Sequence, residues 1–195
     1  MDEHSKPVKE PPAFASFGEW TRAYLGAAPA EQAALEAQGI EWATQRRKAM
    51  AAIIESDPER AFELAVSDSL RKQLPASVAK LLEERVSAHG DYRVLAAMPA
   101  PGEALGVPPV QRSINVDGRE YRAFVYGHRL DAPSKDHLPV HGIALDDRMA
   151  IHASAVQPIE PEVAAKMSPP GEQFCGVANT PLGPESVPVK VGSDI

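Results

Sequence analysis

The sequence predicts an α+β protein: an N-terminal helical half of about four helices, packed on a small antiparallel β-sheet or partly open barrel. Three observations predict it. Apolar residues recur at helical spacing through most of residues 14–90, the period changes to alternation near Gly90, and Asp117-Gly118 sits between two alternating runs. The chain divides accordingly into a tail (1–13), a helical region (14–90), a β region (91–160) and an extended C-terminal segment (161–195) carrying Cys175.

Residues 1–13 are charged and rich in proline (Pro7, Pro11, Pro12), which predicts a disordered tail. Ser16-Phe17-Gly18-Glu19 has the form of a capping box, in which a hydroxyl and a carboxylate satisfy free N–H groups. The short helix it starts puts Phe17, Trp20 and Tyr24 on one side and ends at Gly26. Pro29 suits the first position of a second helix, where its missing N–H costs nothing. That helix should reach about Glu55, with Leu35, Ile40, Trp42, Ala43, Met50, Ile53 and Ile54 as its apolar positions. Gly39 within it marks either a close helix contact or a kink, since glycine costs roughly 1 kcal/mol against alanine there. Ser56-Asp57-Pro58-Glu59 is a second capping box, opening a helix with Phe62, Leu64, Ala65 and Val66. Leu74-Pro75 starts a fourth, with Val78, Leu81, Leu82 and Val86 on its apolar face.

Beyond Gly90, Tyr92 to Ala97 reads as a strand, and Pro99 to Pro109 as a loop. A hairpin follows, Ser113–Val116 and Arg119–Tyr126 about Asp117-Gly118, a two-residue turn signal. Its second strand should turn Tyr121, Ala123 and Val125 to one face and Glu120, Arg122 and Phe124 to the other. A second hairpin is expected from Gly142–Leu145 and Arg148–His152 about Asp146-Asp147, and a helical turn or two over Glu162–Met167.

The totals exclude several classes of function. A net charge of -7 argues against nucleic acid or an anionic membrane as the main partner. No apolar run approaches the roughly 18 residues of a membrane-spanning helix, so no membrane insertion is expected. The first residues lack the apolar stretch of a signal peptide and read as a mature N-terminus, from which an original signal could have been removed. The single cysteine cannot form an internal disulfide. In a cytosolic protein it reads as a small buried apolar residue, and in a secreted one it either pairs with a cysteine elsewhere or stays as a reactive thiol.

Candidate chemistry is sparse. His128, His137, His141 and His152 lie close in sequence, and His137 and His141 have the spacing of a helical zinc pair. Pro139 between them and the strand-like surroundings favour hydrogen-bonding or surface histidines, and no glutamate completes a metalloprotease motif. Asp146-Asp147 reads as turn residues rather than an acid pair. Arg46-Arg47-Lys48 reads as a solvated helix face, or as a partner for Glu83-Glu84. There is no serine nucleophile elbow and no glycine-rich phosphate loop.

Gln173-Phe174-Cys175-Gly176-Val177-Ala178-Asn179 is different, because it resembles the cysteine-switch segment of zinc metallopeptidase prodomains, Pro-Arg-Cys-Gly-Val-Pro-Asp. Phe174, Ala178 and Asn179 stand where that family has arginine, proline and aspartate. A catalytic zinc has three protein ligands and keeps its fourth position for water, which a thiolate displaces. More broadly, Phe62 to Arg93, Val116 to Tyr121 and Pro139 to Leu145 are similar to N-terminal regions of large secreted bacterial proteins, some of them metallopeptidases with the catalytic domain downstream. The resemblance implies a non-catalytic prodomain of a secreted bacterial zinc metallopeptidase, secreted or at the cell surface, with a cytoplasmic location as the alternative. It implies no cofactor of the chain's own, a zinc shared with the partner catalytic domain, and a protein partner. Cys175 is then the ligand to the partner zinc, Gly176 and Val177 pass close to the cleft, and Asn179 hydrogen-bonds within it. Two rival readings are an interaction or assembly domain of a bacterial surface protein, with Cys175 buried, and a hydrolase pairing Cys175 with a histidine base.

Overall fold

The computed structural model describes residues 11–96, 110–158 and 189–191. Among these residues, those up to Arg85 form one compact unit together with Ile143–Ala150, and the others form a second. The content is α+β, with five α-helices and seven strands among the described residues.

The first unit carries the helices: α1 (Pro12–Gly26), α2 (Pro29–Ser56), α3 (Pro58–Leu64), α4 (Asp68–Arg71) and α5 (Ala76–Ala79). α1 begins four residues ahead of the predicted Ser16 box. Pro12 takes the first turn, where proline costs no hydrogen bond, and Ser16 falls inside the helix. Gly26 ends α1, and α2 covers the predicted span from Pro29. The cap of α3 is Asp57, whose carboxylate accepts the Arg60 N–H at 3.1 Å. Ser56, the expected cap, instead closes α2, its hydroxyl donating to Ala52 O at 2.9 Å. α4 has no counterpart in the sequence expectation; Ser67 caps it by accepting the Leu70 N–H. The fourth predicted helix shrinks to the single turn α5, and Val86 belongs to a strand rather than to an apolar helix face. Leaving the helix at Lys80 sets Glu83 opposite Arg46.

Phe17, Trp20, Ala43, Leu74, Val78 and Leu82 form one buried apolar cluster of this unit. α2 buries Gly39, Ala43, Arg46, Met50 and Ile54, a stripe repeating every three or four residues, while Ile40 lies exposed. Of the two options for Gly39, the structure shows the close contact: a Cβ there would overlap the Trp20 ring, whose Nε1–H donates to Leu35 O at 3.0 Å. Arg46 is 2% exposed and overturns the expectation of a solvated basic face. It forms a two-pronged ion pair with Glu83, donates to Leu64 O at 2.7 Å, and lies over the Phe14 and Phe17 rings at 4.9 and 5.3 Å. Glu83 also accepts the Val66 N–H at 2.7 Å. Of the expected pairing between the Arg46-Arg47-Lys48 run and Glu83-Glu84, only Arg46 with Glu83 forms; Glu84 is reached by Arg71 at 3.0 Å instead. Asp146 and Arg148, at the tip of the second hairpin, pair with Arg47 and Glu55 of α2.

The sheet is a closed barrel rather than a partly open one. β1 (Glu84–Ala96), β2 (Val110–Val116), β3 (Arg119–Val125), β4 (Lys135–Leu145) and β5 (Arg148–Ile151) follow the order β1-β2-β3-β5-β4 around the ring. β1 starts eight residues before the predicted Tyr92 and β4 seven before Gly142. The β2–β3 hairpin matches the expectation. Ile114 faces Tyr121, Asp117 (φ 52°) and Gly118 (φ 81°) make the turn, and Tyr121, Ala123 and Val125 are buried. Gly90 allows β1 to cross close to β2, since a Cβ there would lie 2.7 Å from Asn115 O. A short two-stranded ribbon is separate from the barrel, β6 (Val156–Pro158) paired antiparallel with β7 (Val189–Val191).

Candidate functional site

Cys175, Gly176, Val177 and Asn179 lie outside the described residues, as does the predicted turn over Glu162–Met167. The structure does describe both flanks of the segment that carries them. Val156 pairs with Val191, Gln157 with Lys190 and Pro158 with Val189, so the chain leaving at Pro158 returns to its neighbour at Val189. The stretch from Ile159 to Pro188, Cys175 included, is therefore joined at its ends by an antiparallel stem. The sequence expectation was an extended C-terminal segment. The stem escapes sequence reasoning because each strand is three residues long, too short for alternation to register.

The histidines are spread over the second unit. His128 is exposed in the 3-10 turn Gly127–Asp131. His137 takes a positive φ of 50°, donates its N–H to Asp91 Oδ1 at 3.0 Å, and stacks on His89 with ring centroids 4.2 Å apart. His141 sits further along β4; four residues of strand span about 13 Å, so His137 and His141 are not a ligand pair. His141 and His152 do come together, at 5.2 Å between rings, with Tyr126 edge-on to His152 at 5.7 Å. His152 Nδ1 lies 3.0 Å from the Ser154 N–H and 3.1 Å from Ser154 O, so the Ser154 backbone fixes the orientation of the ring. Two imidazoles fall short of a structural metal site, and among the described residues no group of three or more His, Cys, Asp or Glu is arranged to hold a metal ion. Asp146 takes the positive φ of a turn residue (56°) and, through its pairing with Arg47, serves the first unit as structure.

The polar group that sequence reasoning misses lies on the barrel strands and the 3-10 turn of the second unit. Tyr92 on β1 is fully buried, and the Arg112 guanidinium from β2 lies against its hydroxyl without the alignment of a hydrogen bond. Among the described residues, neither the Tyr92 hydroxyl nor Arg112 Nε has a hydrogen-bond partner. Arg129, 6% exposed, is near enough to act on the phenol electrostatically. It donates from Nε to His152 O at 2.9 Å and from Nη2 to Pro139 O at 3.2 Å. Burial raises the Tyr92 pKa against the opposing pull of the two arginines, and burial lowers that of Arg129. No spacing signal could have found these residues; barrel closure alone brings them together.

No family model matches the chain, and no curated protein or solved structure is similar to it. Among the described residues, no helix is long and apolar enough to cross a membrane.

Proposed function

We propose that this chain is a non-catalytic prodomain of a secreted bacterial zinc metallopeptidase, and that it holds Cys175 against the zinc of the peptidase domain. The observation that carries the reading is the β6–β7 stem, which ties both ends of the stretch containing Cys175. Constraining a loop at its ends removes conformational freedom before binding, which favours delivery of a thiolate into a cleft. The donor set is consistent with this role: one thiolate supplies a single ligand, suited to the open position of a zinc held by another domain's side chains. When bound, that zinc activates water, and the Cys175 thiolate takes the water's place. Gly176 lets the backbone approach, and the Asn179 amide offers both a donor and an acceptor to the cleft.

The test is inhibition of secreted bacterial zinc metallopeptidases by the isolated chain. The native chain should inhibit its cognate enzyme, and Cys175→Ser should weaken inhibition by at least about tenfold to a hundredfold, the scale on which even an outer-shell partner of a metal acts. With cobalt in place of zinc, the native chain should add a thiolate-to-metal charge-transfer band that the variant lacks. Equal inhibition by both forms rejects the proposal.

A further inference from the structure

We infer that the second unit contains a binding site for an organic carboxylate on its barrel strands, with Arg112, Arg129 and the Tyr92 hydroxyl as its anion-binding floor. The inference is independent of Cys175. Among the described residues neither Arg112 nor Arg129 makes an ion pair with a carboxylate. The other deeply buried arginine, Arg46, has Glu83 as its counterion, whereas Arg129, 6% exposed, has only backbone carbonyls. Its bonds to His152 O and Pro139 O satisfy N–H groups but supply no net negative charge. Arg112 uses Nη2 on Leu130 O at 2.8 Å and leaves Nε buried and unbonded. The phenol cannot serve as counterion, because burial keeps it protonated at neutral pH.

A buried cation with no counterion is costly, and so is each buried polar group without a partner. Here the buried Arg129, the half-buried Arg112 with its unused Nε–H, and the unused Tyr92 hydroxyl converge in one place. A single oxyanion answers all of them, since one carboxylate oxygen can accept from the hydroxyl while the other accepts from a guanidinium. The rim selects the rest of the ligand. Val94 is directly opposite Arg112 in the β1–β2 register. Val110, two residues along the same strand face, is 39% exposed, and Leu130 is 51% exposed. An acid whose head reaches the arginines leaves its tail against these three side chains, which favours a carboxylate on a short apolar group over a bare inorganic anion.

The probe is hexanoate, titrated calorimetrically into the full chain, with acetate and inorganic phosphate as the other arms. Hexanoate should bind saturably, and acetate and phosphate at least about tenfold more weakly for want of the apolar contact. Tyr92→Phe keeps the ring and removes only the hydroxyl; it should weaken hexanoate about tenfold, the worth of one hydrogen bond to a charged group. Arg112→Gln should weaken it at least as much, with unchanged near-ultraviolet circular dichroism in both variants. No saturable binding, or equal binding in the native chain and both variants, overturns the site. A phosphate response equal to that of hexanoate overturns the carboxylate assignment.

Discussion

Arg46 and Glu83 decide more than any other pair in the helical unit, because both charges are buried and each is satisfied by several partners at once. Burial alone would push the Glu83 pKa up. The Arg46 guanidinium and the Val66 N–H outweigh it and hold the carboxyl below its usual range. The folded-state value therefore lies under the unfolded one, near the ordinary glutamate pKa of about 4.3. The stability this provides is fully present above that range and is lost as pH falls through the folded value. Glu83→Gln should cost about 3–5 kcal/mol at pH 7, because it leaves Arg46 buried without its counterion. Urea midpoints measured from pH 7 to pH 3 should show native and variant converging as the pH drops. The joint replacement Arg46→Met with Glu83→Leu should regain most of the loss, since two apolar side chains leave no charge stranded. A Glu83→Gln variant as stable as the native chain at pH 7 would contradict this account.

Between elements, two glycines separate backbone strain from steric exclusion. Gly118 occupies a positive φ of 81° with open space where a Cβ would go. Gly118→Ala should therefore cost only about 1–2 kcal/mol, the penalty of the left-handed region. Gly90 meets a backbone carbonyl and two core side chains, Val116 and Ile114, at 2.7–3.0 Å. Gly90→Ala should cost about 3 kcal/mol, the upper part of the overpacking range, because β1 must lift from β2. Urea unfolding at constant slope measures both, and a reversed order would mean that β1 does not cross β2 as described. The two glycines also show what was legible. Asp117-Gly118 announces its hairpin because the turn chemistry is local and flanked by alternating side chains. Gly90 marks the change of period, but the long reach of β1 back to Glu84 does not show, since Arg85 to His89 are all half-buried and do not alternate. The start of α1 moves for a related reason: two adjacent prolines outcompete a capping box that reads well on paper.

For the molecule as a whole, what the sequence leaves unreadable is set by distance along the chain. Tyr92, Arg112 and Arg129 sit on three separate elements, and β6 and β7 pair across the stretch from Ile159 to Pro188. No local pattern encodes either meeting. A two-stranded ribbon is marginal by itself, and closing a loop of this length costs about 3 kcal/mol. That cost is borne by the chain before any partner arrives, so the stem should act on binding rather than on folding. A chain ending at Pro188 lacks β7. Its barrel should unfold at the native urea midpoint, within about 0.5 kcal/mol, because the ribbon is a sheet separate from the barrel. Its inhibition of the cognate zinc metallopeptidase should weaken by about tenfold to a hundredfold, since the thiol must then be ordered at the moment of binding. Unchanged inhibition by the shortened chain would remove the stem from the mechanism, while a large fall in barrel stability would show β7 to be part of the fold and not of the delivery device.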